Sequence, residues 1–303
     1  MSMSHKDPRV SIVVRTYNRL ERLRECLQSL RRQTFESFEA VIVNDAGEDA
    51  APALTDELGA IPFQYICNAQ NMGRTAALNI GVEAAKGAYI GFLDDDDVVY
   101  PDHIQTLADK AFSENLPVVY SDVLNVTFQQ DPQTGEWKRM KEQLVYSFDF
   151  NADNFLLANY IPITCLLIRR DCFEAAGPFD ESLTIYEDWE FLIRLSRKFP
   201  FQHIAKVTGE YRRRDDNSNI RESEQYPINE RVVKRRYRDE RHAAFDPIFK
   251  RTFQQQRQIR RQAAQTQQIV QQAAQWRDSL AAAQKTIAQL QQEITKRRSE
   301  NSL

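Results

Sequence analysis

Four consecutive aspartates, Asp94–Asp97, come directly after the apolar run Ala88–Leu93. An unbroken apolar run of this length is typical of a strand that is buried on both faces. Adjacent carboxylates repel one another, and a bound cation relieves that repulsion. Carboxylate oxygens suit Mg2+ or Mn2+, which keep coordination positions open for phosphate oxygens. The acidic run therefore predicts a metal–phosphate site, with a solvated acidic turn as the alternative.

The elements that must position these acids alternate between strand and helix. Apolar runs predict four strands, at Val10–Arg15, Phe38–Val43, Phe63–Cys67 and Ala88–Leu93. Helical spacing predicts three intervening helices. They are Leu20–Arg32, a helix that follows the second strand and ends at about Leu58, and Thr75–Lys86. This alternation indicates an α/β fold with a doubly wound, mostly parallel sheet. Ligands bind beyond the carboxyl ends of such strands, which is where Thr16, Asp45 and Asp94–Asp97 fall.

Neither common phosphate-binding loop occurs in the sequence. The first strand is not followed by GxGxxG, and GxxxxGK[ST] is absent from the chain. Without a glycine-rich cradle, phosphate charge has to be neutralised by other groups. A divalent metal held by Asp94–Asp97 is the means that the sequence offers.

The second half of the sequence has a looser pattern. It predicts a helix, a strand, a polar hairpin and a further strand, at Asp102–Phe112, Val118–Val123, Thr127–Tyr146 and Ile163–Arg169. Glu187 and Asp188 then open a helix with apolar residues at helical spacing through Phe199. Acids in a first helical turn commonly cap the helix, so residue types alone leave capping and a chemical role equally open.

Composition excludes several classes of protein. In 303 residues, no segment approaches about 18 consecutive apolar residues, the length needed to span a bilayer. The N-terminus lacks an apolar signal region, which predicts a cytoplasmic protein. Four scattered cysteines without a CxxC pair argue against a zinc site or a disulfide framework: Cys26, Cys67, Cys165 and Cys172.

Six ordered stretches of sequence together resemble one known family. They read SIVVRTYNR, VIVNDAG, NMGRTAALN, GFLDDDDVVYP, GPFDESL and YEDWEFLIRL. This combination resembles the GT-A glycosyltransferases of family 2, which are inverting and use nucleotide sugars. The resemblance covers about Val10 to Ser218. It implies a GT-A-type fold whose nucleotide-sugar-binding half is 1–125 and whose acceptor-side half is 126–220.

The resemblance also implies a donor site. Thr16, Tyr17 and Asp45 would hold the base and ribose, with the Asp45 carboxylate accepting from a uracil-type imide N–H. Arg74 would lie near the nucleotide. Arg19 and Asp95 are assigned to the same donor site.

The remaining implied roles concern the metal and the base. Asp94 and Asp96 match the outer positions of the family's DxD motif, and Asp96 would be the direct ligand of Mn2+ or Mg2+. Asp188 matches the catalytic base of the family's ED motif, and Glu187 would orient its neighbour or the acceptor. The acceptor would be a hydroxyl of a surface glycan or a lipid-linked saccharide.

One position departs from the family's pattern. Such enzymes often have a tyrosine–arginine pair followed two residues later by histidine, whereas here Tyr211-Arg212 is followed by Arg213 and Arg214. Arginine cannot coordinate a cation, so any ligand contributed there is missing. Arg214 would instead pair with the donor diphosphate, and a solvated basic turn is the alternative.

The C-terminal third is basic and then rich in Gln and Ala. Lys206–Arg261 carries an excess of about seven positive charges, which indicates a solvated helix face or a contact with lipid-linked phosphates or a membrane surface. Nucleic acid is disfavoured because no recognition motif appears. We assign 221–252 to a basic helical linker. A heptad from Ile259 to Ile294 predicts an oligomerising coiled coil in 253–303, with a folded-back helix or a spacer as alternatives.

Three classes of function remain. The first is an active glycosyltransferase, and the second is a scaffold that works through its coiled coil. The third is a nucleotidyltransferase, which would normally show a glycine-rich loop after the first strand. Because Asp94, Asp96 and Asp188 are all present, the sequence favours the active enzyme.

Overall fold

The structure is a computed structural model that describes residues 8–214, 223–244 and single positions between 255 and 264. The chain divides into two units, Met1–Phe245 and Asp246–Leu303. In the second unit the described positions are helical. The core positions of the predicted coiled coil, from Ile259 to Ile294, lie outside the described residues.

The described part of the first unit contains nine strands, nine helices and one 3-10 turn. The strands are β1 (Val10–Thr16), β2 (Phe38–Asn44), β3 (Phe63–Cys67), β4 (Tyr89–Asp94), β5 (Val98–Val99), β6 (Val118–Gln130), β7 (Trp137–Tyr146), β8 (Leu166–Arg169) and β9 (Phe201–Arg214). The helices are α1 (Leu20–Arg31), α2 (Ala51–Leu58), α3 (Arg74–Ala84), α4 (His103–Ser113), α5 (Ala152–Leu157), α6 (Asp171–Ala176), α7 (Glu187–Ser196), α8 (Gln225–Arg236) and α9 (Arg238–Ala244). The 3-10 turn is Ile163–Cys165.

The first half of the sheet is parallel, as predicted. Its strand order is β3-β2-β1-β4, and each neighbouring pair runs parallel. Val13 of β1 packs into the core on one face of the sheet, whereas Ile12 and Val14 pack into the core on the other. This double burial explains why the strands read as unbroken apolar runs. The parallel direction of the strands places the carboxyl ends of β1, β2 and β4 along one edge.

Helix α3 approaches β1 unusually closely. A Cβ atom at Gly81 would lie 2.3 Å from Cγ1 of Val13, so only glycine permits this contact without displacement. The helix begins at Arg74, beside the carboxyl ends of the strands. Close packing at Gly81 therefore fixes the position of Arg74.

The second half of the sheet is mixed, so the prediction of a mostly parallel sheet is wrong there. Strand β8 lies between β4 and β6 and runs antiparallel to both. Strands β6 and β7 form an antiparallel hairpin, and β5 is antiparallel to β9. Only β6 and β9 pair in parallel within this described half. Only the β6–β7 connection, residues 131–136, is too short for a crossover, so local sequence dictates antiparallel pairing at that hairpin alone.

Several predicted element bounds also change. Strand β6 continues seven residues past Val123 to Gln130 because its polar end pairs with both β7 and β9. The predicted strand Ile163–Arg169 begins with a 3-10 turn and becomes extended only at Leu166. Helix α7 ends at Ser196, one turn before Phe199.

Candidate active site

A cavity of about 320 Å³ opens at the carboxyl ends of β1, β2 and β4. We call it the arginine-rich cavity, because its lining includes six arginines: Arg15, Arg19, Arg74, Arg212, Arg213 and Arg214. Every residue predicted for the donor and metal sites lines it: Thr16, Tyr17, Arg19, Asp45, Arg74, Asp94, Asp95, Asp96 and Arg214. The structure therefore brings the whole predicted set together in one place.

The acidic run at this cavity is not a solvated turn. Asp95 and Asp97 are 4% and 1% exposed. Asp95 accepts a hydrogen bond from Oγ1 of Thr16 at 2.8 Å. Asp97 accepts from Oγ1 of Thr164 at 2.6 Å and from the backbone N–H of Arg212 at 2.8 Å. These bonds tie the run to three separate parts of the chain.

The carboxylates of the run differ in electrostatic environment. Burial and the neighbouring carboxylate of Asp96 raise the pKa of Asp95 to about 6. Burial and the charge of Asp94 likewise raise the pKa of Asp96. Burial alone would raise the pKa of Asp94 too, but the guanidinium groups of Arg15 and Arg74 outweigh it and hold that pKa below its usual value. The run therefore combines one firmly ionised carboxylate with neighbours whose mutual repulsion is only partly relieved.

Asp94 and Asp96 are suitable ligands for a hard divalent cation. Both carboxylates line the arginine-rich cavity, and Asp96 is contacted only loosely by Nη1 of Arg19, at 3.3 Å, and of Arg22, at 3.8 Å. Among the described residues, no cluster of three or more His, Cys, Asp and Glu is arranged to hold an ion. Mg2+ commonly binds through one or two carboxylates and completes its shell with water and substrate phosphates. The residues present fit a cation of that kind.

Asp45 has a structural function that the sequence did not indicate. Its Oδ1 accepts from Nδ2 of Asn68 at 2.8 Å and from the backbone N–H of Met72 at 2.9 Å. Its Oδ2 accepts from the N–H of Gly73 at 2.8 Å. Asp45 thus anchors the loop that leads into Arg74, while still lining the cavity.

Arg15 is the functional candidate that sequence reasoning missed. Its Nε donates to Oδ1 of Asp94 at 2.9 Å, and its Nη1 donates to Oε1 of Glu187 at 2.8 Å. Nη1 also donates to the carbonyl of Arg74 at 3.2 Å. The side chain is 8% exposed. A charged residue inside the apolar strand VSIVVRT is the signal that could have identified it.

A second cavity, of about 290 Å³, adjoins the first on the other side of Arg15. We call it the aromatic cavity, because five aromatic side chains line it: Tyr146, Tyr186, Trp189, Tyr211 and Tyr226. Glu187 and Asp188 line it as well. Four residues belong to both cavities and form their shared wall: Arg15, Arg74, Asp94 and Tyr211.

Asp188 lies in the first turn of α7, within the aromatic cavity. Its Oδ1 accepts from the backbone N–H of Trp189 at 2.7 Å, and its Oδ2 accepts from Nδ2 of Asn159 at 3.2 Å. Burial and the adjacent charge of Glu187 raise the pKa of Asp188 to about 6. The residue before the helix, Tyr186, has a left-handed backbone with φ of 66°, a conformation that concentrates at functional sites. The carboxylate therefore satisfies one helix N–H and also faces a cavity.

Comparison with known proteins identifies the family. The family described as Glycosyl transferase family 2 matches residues 11–177. The chain belongs to this family. The resemblance drawn from the six sequence stretches is confirmed.

Named relatives of this family 2 glycosyltransferase are bacterial. It is 34% identical over 213 residues to "Uncharacterized glycosyltransferase YwdF" of Bacillus subtilis, covering 70% of this chain and 76% of the relative. It is 33% identical over 159 residues to "Putative glycosyltransferase EpsH" of the same organism, covering 48% of this chain and 46% of that one.

Solved glycosyltransferases share its fold. S. aureus TarS 1-349 in complex with UDP-GlcNAc superposes with a TM-score of 0.59 at 19% identity, over 74% of this chain and 65% of that chain. The mannosyltransferase PcManGT from Pyrobaculum calidifontis, in complex with GDP-Man and Mn2+, gives 0.52 at 15% identity, over 68% and 57%. This family 2 glycosyltransferase therefore has the mixed α/β sheet of the GT-A enzymes, and it spans less than two thirds of either solved chain.

Arg214 is buried, so the alternative of a solvated basic turn is wrong. Its Nη2 donates to Oε2 of Glu25 at 3.3 Å, and its guanidinium lies 5.8 Å from the ring centre of Phe128. Burial lowers its pKa from the ordinary value. Its Nη1 and the Nε of Arg213 are buried without a hydrogen-bond partner among the described residues. Unsatisfied buried donors at a cavity wall are suited to an anion.

The basic helices α8 and α9 are partly paired. Arg236 bonds to Asp180 at 2.7 Å and lies 3.0 Å from Glu190. Ile228 and Val232 are exposed on α8, at 49% and 40%. Among the described residues, no helix has the length and apolar character needed to cross a membrane.

His203 and the cysteines take no part in either cavity. His203 lies between Asp122 and Asp149, 2.8 Å from each, and stacks on Tyr120. These contacts give His203 a structural role in the sheet. All four cysteines are free thiols.

Proposed function

We propose that the protein transfers a sugar from a UDP-type nucleotide sugar to a hydroxyl acceptor, with inversion at the anomeric carbon. The observation that carries this proposal is the pair of adjoining cavities. Asp96 lines only the arginine-rich cavity, Asp188 lines only the aromatic cavity, and Asp94 belongs to the wall between them. Inversion requires the acceptor to attack from the face opposite the leaving diphosphate, so two separate carboxylate sites match its geometry.

In this proposal the donor occupies the arginine-rich cavity. Thr16, Tyr17 and Asp45 hold the base and ribose. A uracil imide N–H would share Oδ2 of Asp45 with the backbone N–H of Gly73, because Oδ1 already accepts from Asn68 and Met72. The unpartnered donors of Arg213 and Arg214 support a position for the diphosphate beside them.

Asp94 and Asp96 would hold Mg2+ or Mn2+ together with phosphate oxygens. When bound, the cation offsets the negative charge that develops on the departing diphosphate. Arg19 and Thr16 fix the carboxylate of Asp95, and Arg15 fixes that of Asp94. These contacts orient the run before the donor arrives, so little reorganisation is needed in the transition state.

Asp188 is the proposed general base. It accepts the proton of the acceptor hydroxyl on a carboxylate oxygen as the bond to the anomeric carbon forms. A pKa of about 6 leaves it ionised at neutral pH and still a better proton acceptor than an ordinary aspartate. Glu187 is 2% exposed and bonded to Arg15, so we assign it a positioning role.

Oligomerisation and membrane contact remain separate proposals. The heptad pattern from Ile259 to Ile294 supports a homo-oligomer through the C-terminal helix. The exposed Ile228 and Val232, with Arg231 and Arg235 beside them, support a peripheral contact at the inner face of the membrane. Such a contact suits a lipid-linked acceptor, and a surface glycan is the other acceptor class.

The proposed function is tested by incubating the protein with individual nucleotide sugars and Mn2+ or Mg2+. We expect slow release of UDP from at least one UDP-sugar, and loss of that release with EDTA. Thermal shift with each nucleotide sugar identifies donors, because a ligand that binds only the native state raises its stability. A protein that binds no nucleotide sugar and releases no nucleotide would favour the scaffold function instead.

A further inference from the structure

The lining of the aromatic cavity has an excess of negative charge. It contains two guanidinium groups, of Arg15 and Arg74, and four carboxylates, those of Asp94, Glu187, Asp188 and Glu230. We propose that the acceptor is a saccharide whose accepting ring carries no carboxylate, phosphate or sulfate group. This inference rests on the proposed function, because it names the acceptor class for the same reaction.

Both guanidinium groups already pair with carboxylates that line the aromatic cavity. Arg15 bonds to Asp94 at 2.9 Å and to Glu187 at 2.8 Å. Nε of Arg74 lies 3.2 Å from the same oxygen of Glu187. An anionic acceptor would have to displace one of these carboxylates, because the described lining offers no other cation.

Glu230 adds negative charge on the side of the cavity formed by α8. It follows Tyr226 by four residues, so the two side chains share a helix face, and both line the cavity. Its partner is Lys234, at 2.6 Å, which is not a lining residue. The carboxylate therefore faces the cavity while its counter-charge lies one turn further along the helix.

The aromatic side chains of this cavity provide apolar surface against which a sugar ring can pack. The ring centre of Tyr186 lies 5.0 Å from that of Tyr226 and 5.4 Å from that of Trp189. Aromatic faces pack against the C–H surface of a pyranose, while tyrosine hydroxyls and carboxylates accept from its hydroxyl groups. An uncharged saccharide uses both kinds of contact without placing an anion beside Asp188.

The arginine-rich cavity has the opposite charge balance. Its lining contains six guanidinium groups and four carboxylates, and two of its buried arginine nitrogens lack a partner among the described residues. Phosphate charge thus has a favourable place on the donor side. The described acceptor side has no equivalent, which is why a phosphate or carboxylate on the accepting ring is excluded.

The test compares matched neutral and anionic acceptors in the presence of an active UDP-sugar. Suitable pairs are methyl glucoside with methyl glucuronide, methyl galactoside with methyl galacturonide, and each glucoside with its 6-phosphate. Binding is followed by saturation-transfer NMR and transfer by product analysis. We expect the neutral member to be favoured by roughly tenfold to hundredfold, as one or two uncompensated charge contacts would give. Equal or better use of the anionic members, or binding of no neutral saccharide, would overturn the inference.

A charge-neutralising variant links the preference to the cavity. Glu230→Gln removes one carboxylate from the lining of the aromatic cavity and frees Lys234. The discrimination against anionic acceptors should therefore fall by about threefold or more. Glu224→Gln removes the same charge at the start of the same helix, from a residue that lines neither cavity, and should leave discrimination unchanged. Unchanged discrimination in Glu230→Gln would count against the cavity charge as its source. UDP release without acceptor reports on the proposed function separately, so its presence in every variant isolates this inference.

Discussion

The two cavities share a wall but stabilise their carboxylates by different means. In the arginine-rich cavity, guanidinium groups lower the pKa of Asp94 below its usual value. In the aromatic cavity, Asp188 accepts from the side-chain amide of Asn159 and from the backbone N–H of Trp189, and burial raises its pKa to about 6. A carboxylate that must remain an anion is thus bonded to a guanidinium group. For the carboxylate that must take up a proton, burial and the charge of Glu187 outweigh the nearby Arg74 and Arg15.

The largest effect is expected from removing a carboxylate that lines the arginine-rich cavity. Asp96→Ala should abolish detectable turnover and weaken UDP binding chiefly when Mn2+ or Mg2+ is present. Thermal stability without ligand should be unchanged or higher, because one of several repelling carboxylates is lost. Calorimetric titration of UDP with and without EDTA measures the effect. Equal UDP affinity under both conditions in the unaltered protein would refute the metal assignment.

The matching change on the aromatic side is Asp188→Asn. Transfer should fall by roughly 10^2- to 10^4-fold in kcat, the usual contribution of a general base, while UDP and metal affinity stay near normal. Glu187→Gln should cost less, since that residue only positions its neighbours. Steady-state kinetics with the true donor and acceptor decide the point. Retention of most activity in Asp188→Asn would remove this residue as the base.

The shared wall is tested by Arg15→Lys. Lysine keeps the charge but cannot bond to Asp94, Glu187 and the Arg74 carbonyl at once. We expect kcat to fall by about 10- to 100-fold, with a smaller change in the KM for donor. Arg169→Lys is the matched control, because Arg169 lies at the end of β8, much as Arg15 lies next to the end of β1, and pairs with Asp171 but lines neither cavity. Equal effects of the two substitutions would show that Arg15 has no positioning role.

The difference in pKa predicts a pH profile. Because Asp188 must be ionised to accept a proton, kcat/KM should rise about tenfold per pH unit below 6 and level off above it. Asp94 should contribute no inflection in this range, since its pKa is lowered. The part of the inflection near pH 6 that Asp188 contributes should be lost from the residual activity of Asp188→Asn, whereas any part from Asp95, whose pKa is also about 6, should remain. A profile that is flat from pH 5 to 8 would contradict the assignment.

The smallest effect is expected from removing the C-terminal segment. Both cavities are lined by residues of the first unit, so truncation near Phe253 should leave donor hydrolysis nearly unchanged. If the segment forms a coiled coil, the same truncation converts an oligomer to a monomer in light scattering. A monomeric full-length protein would support the folded-back or spacer hypothesis.

The parallel half of the fold was predictable from sequence, whereas the mixed half was not. Strands β1 to β4 are each a compact apolar run followed by a separate helix, so local pattern was sufficient. Strand β6 continues through polar residues to Gln130, and only its pairing with β7 and β9 makes that end a strand. Tertiary pairing of this kind leaves little local signal.

The residues of the candidate site were likewise predictable only in part. Thr16, Asp45 and Asp94–Asp97 lie at or directly after the ends of strands, and the parallel strand order brings them together. The role of Arg15 depends on Glu187, 172 residues further along the chain, and no local pattern reports such a contact. Burial of Arg214 was equally unpredictable, because it results from the packing of the β6–β7 hairpin around it.

Arg15, Arg74 and Asp94 touch both ligands in the proposed reaction, so the two binding equilibria share atoms. Equilibria that share atoms are coupled, and that coupling is reciprocal. Whatever factor the nucleotide sugar applies to acceptor affinity, the acceptor applies to nucleotide-sugar affinity. Cooperativity between the substrates is therefore a property of the shared wall, which Arg15, Arg74, Asp94 and Tyr211 form. Arg15→Lys should change the effect of the donor on acceptor affinity and the effect of the acceptor on donor affinity by the same factor.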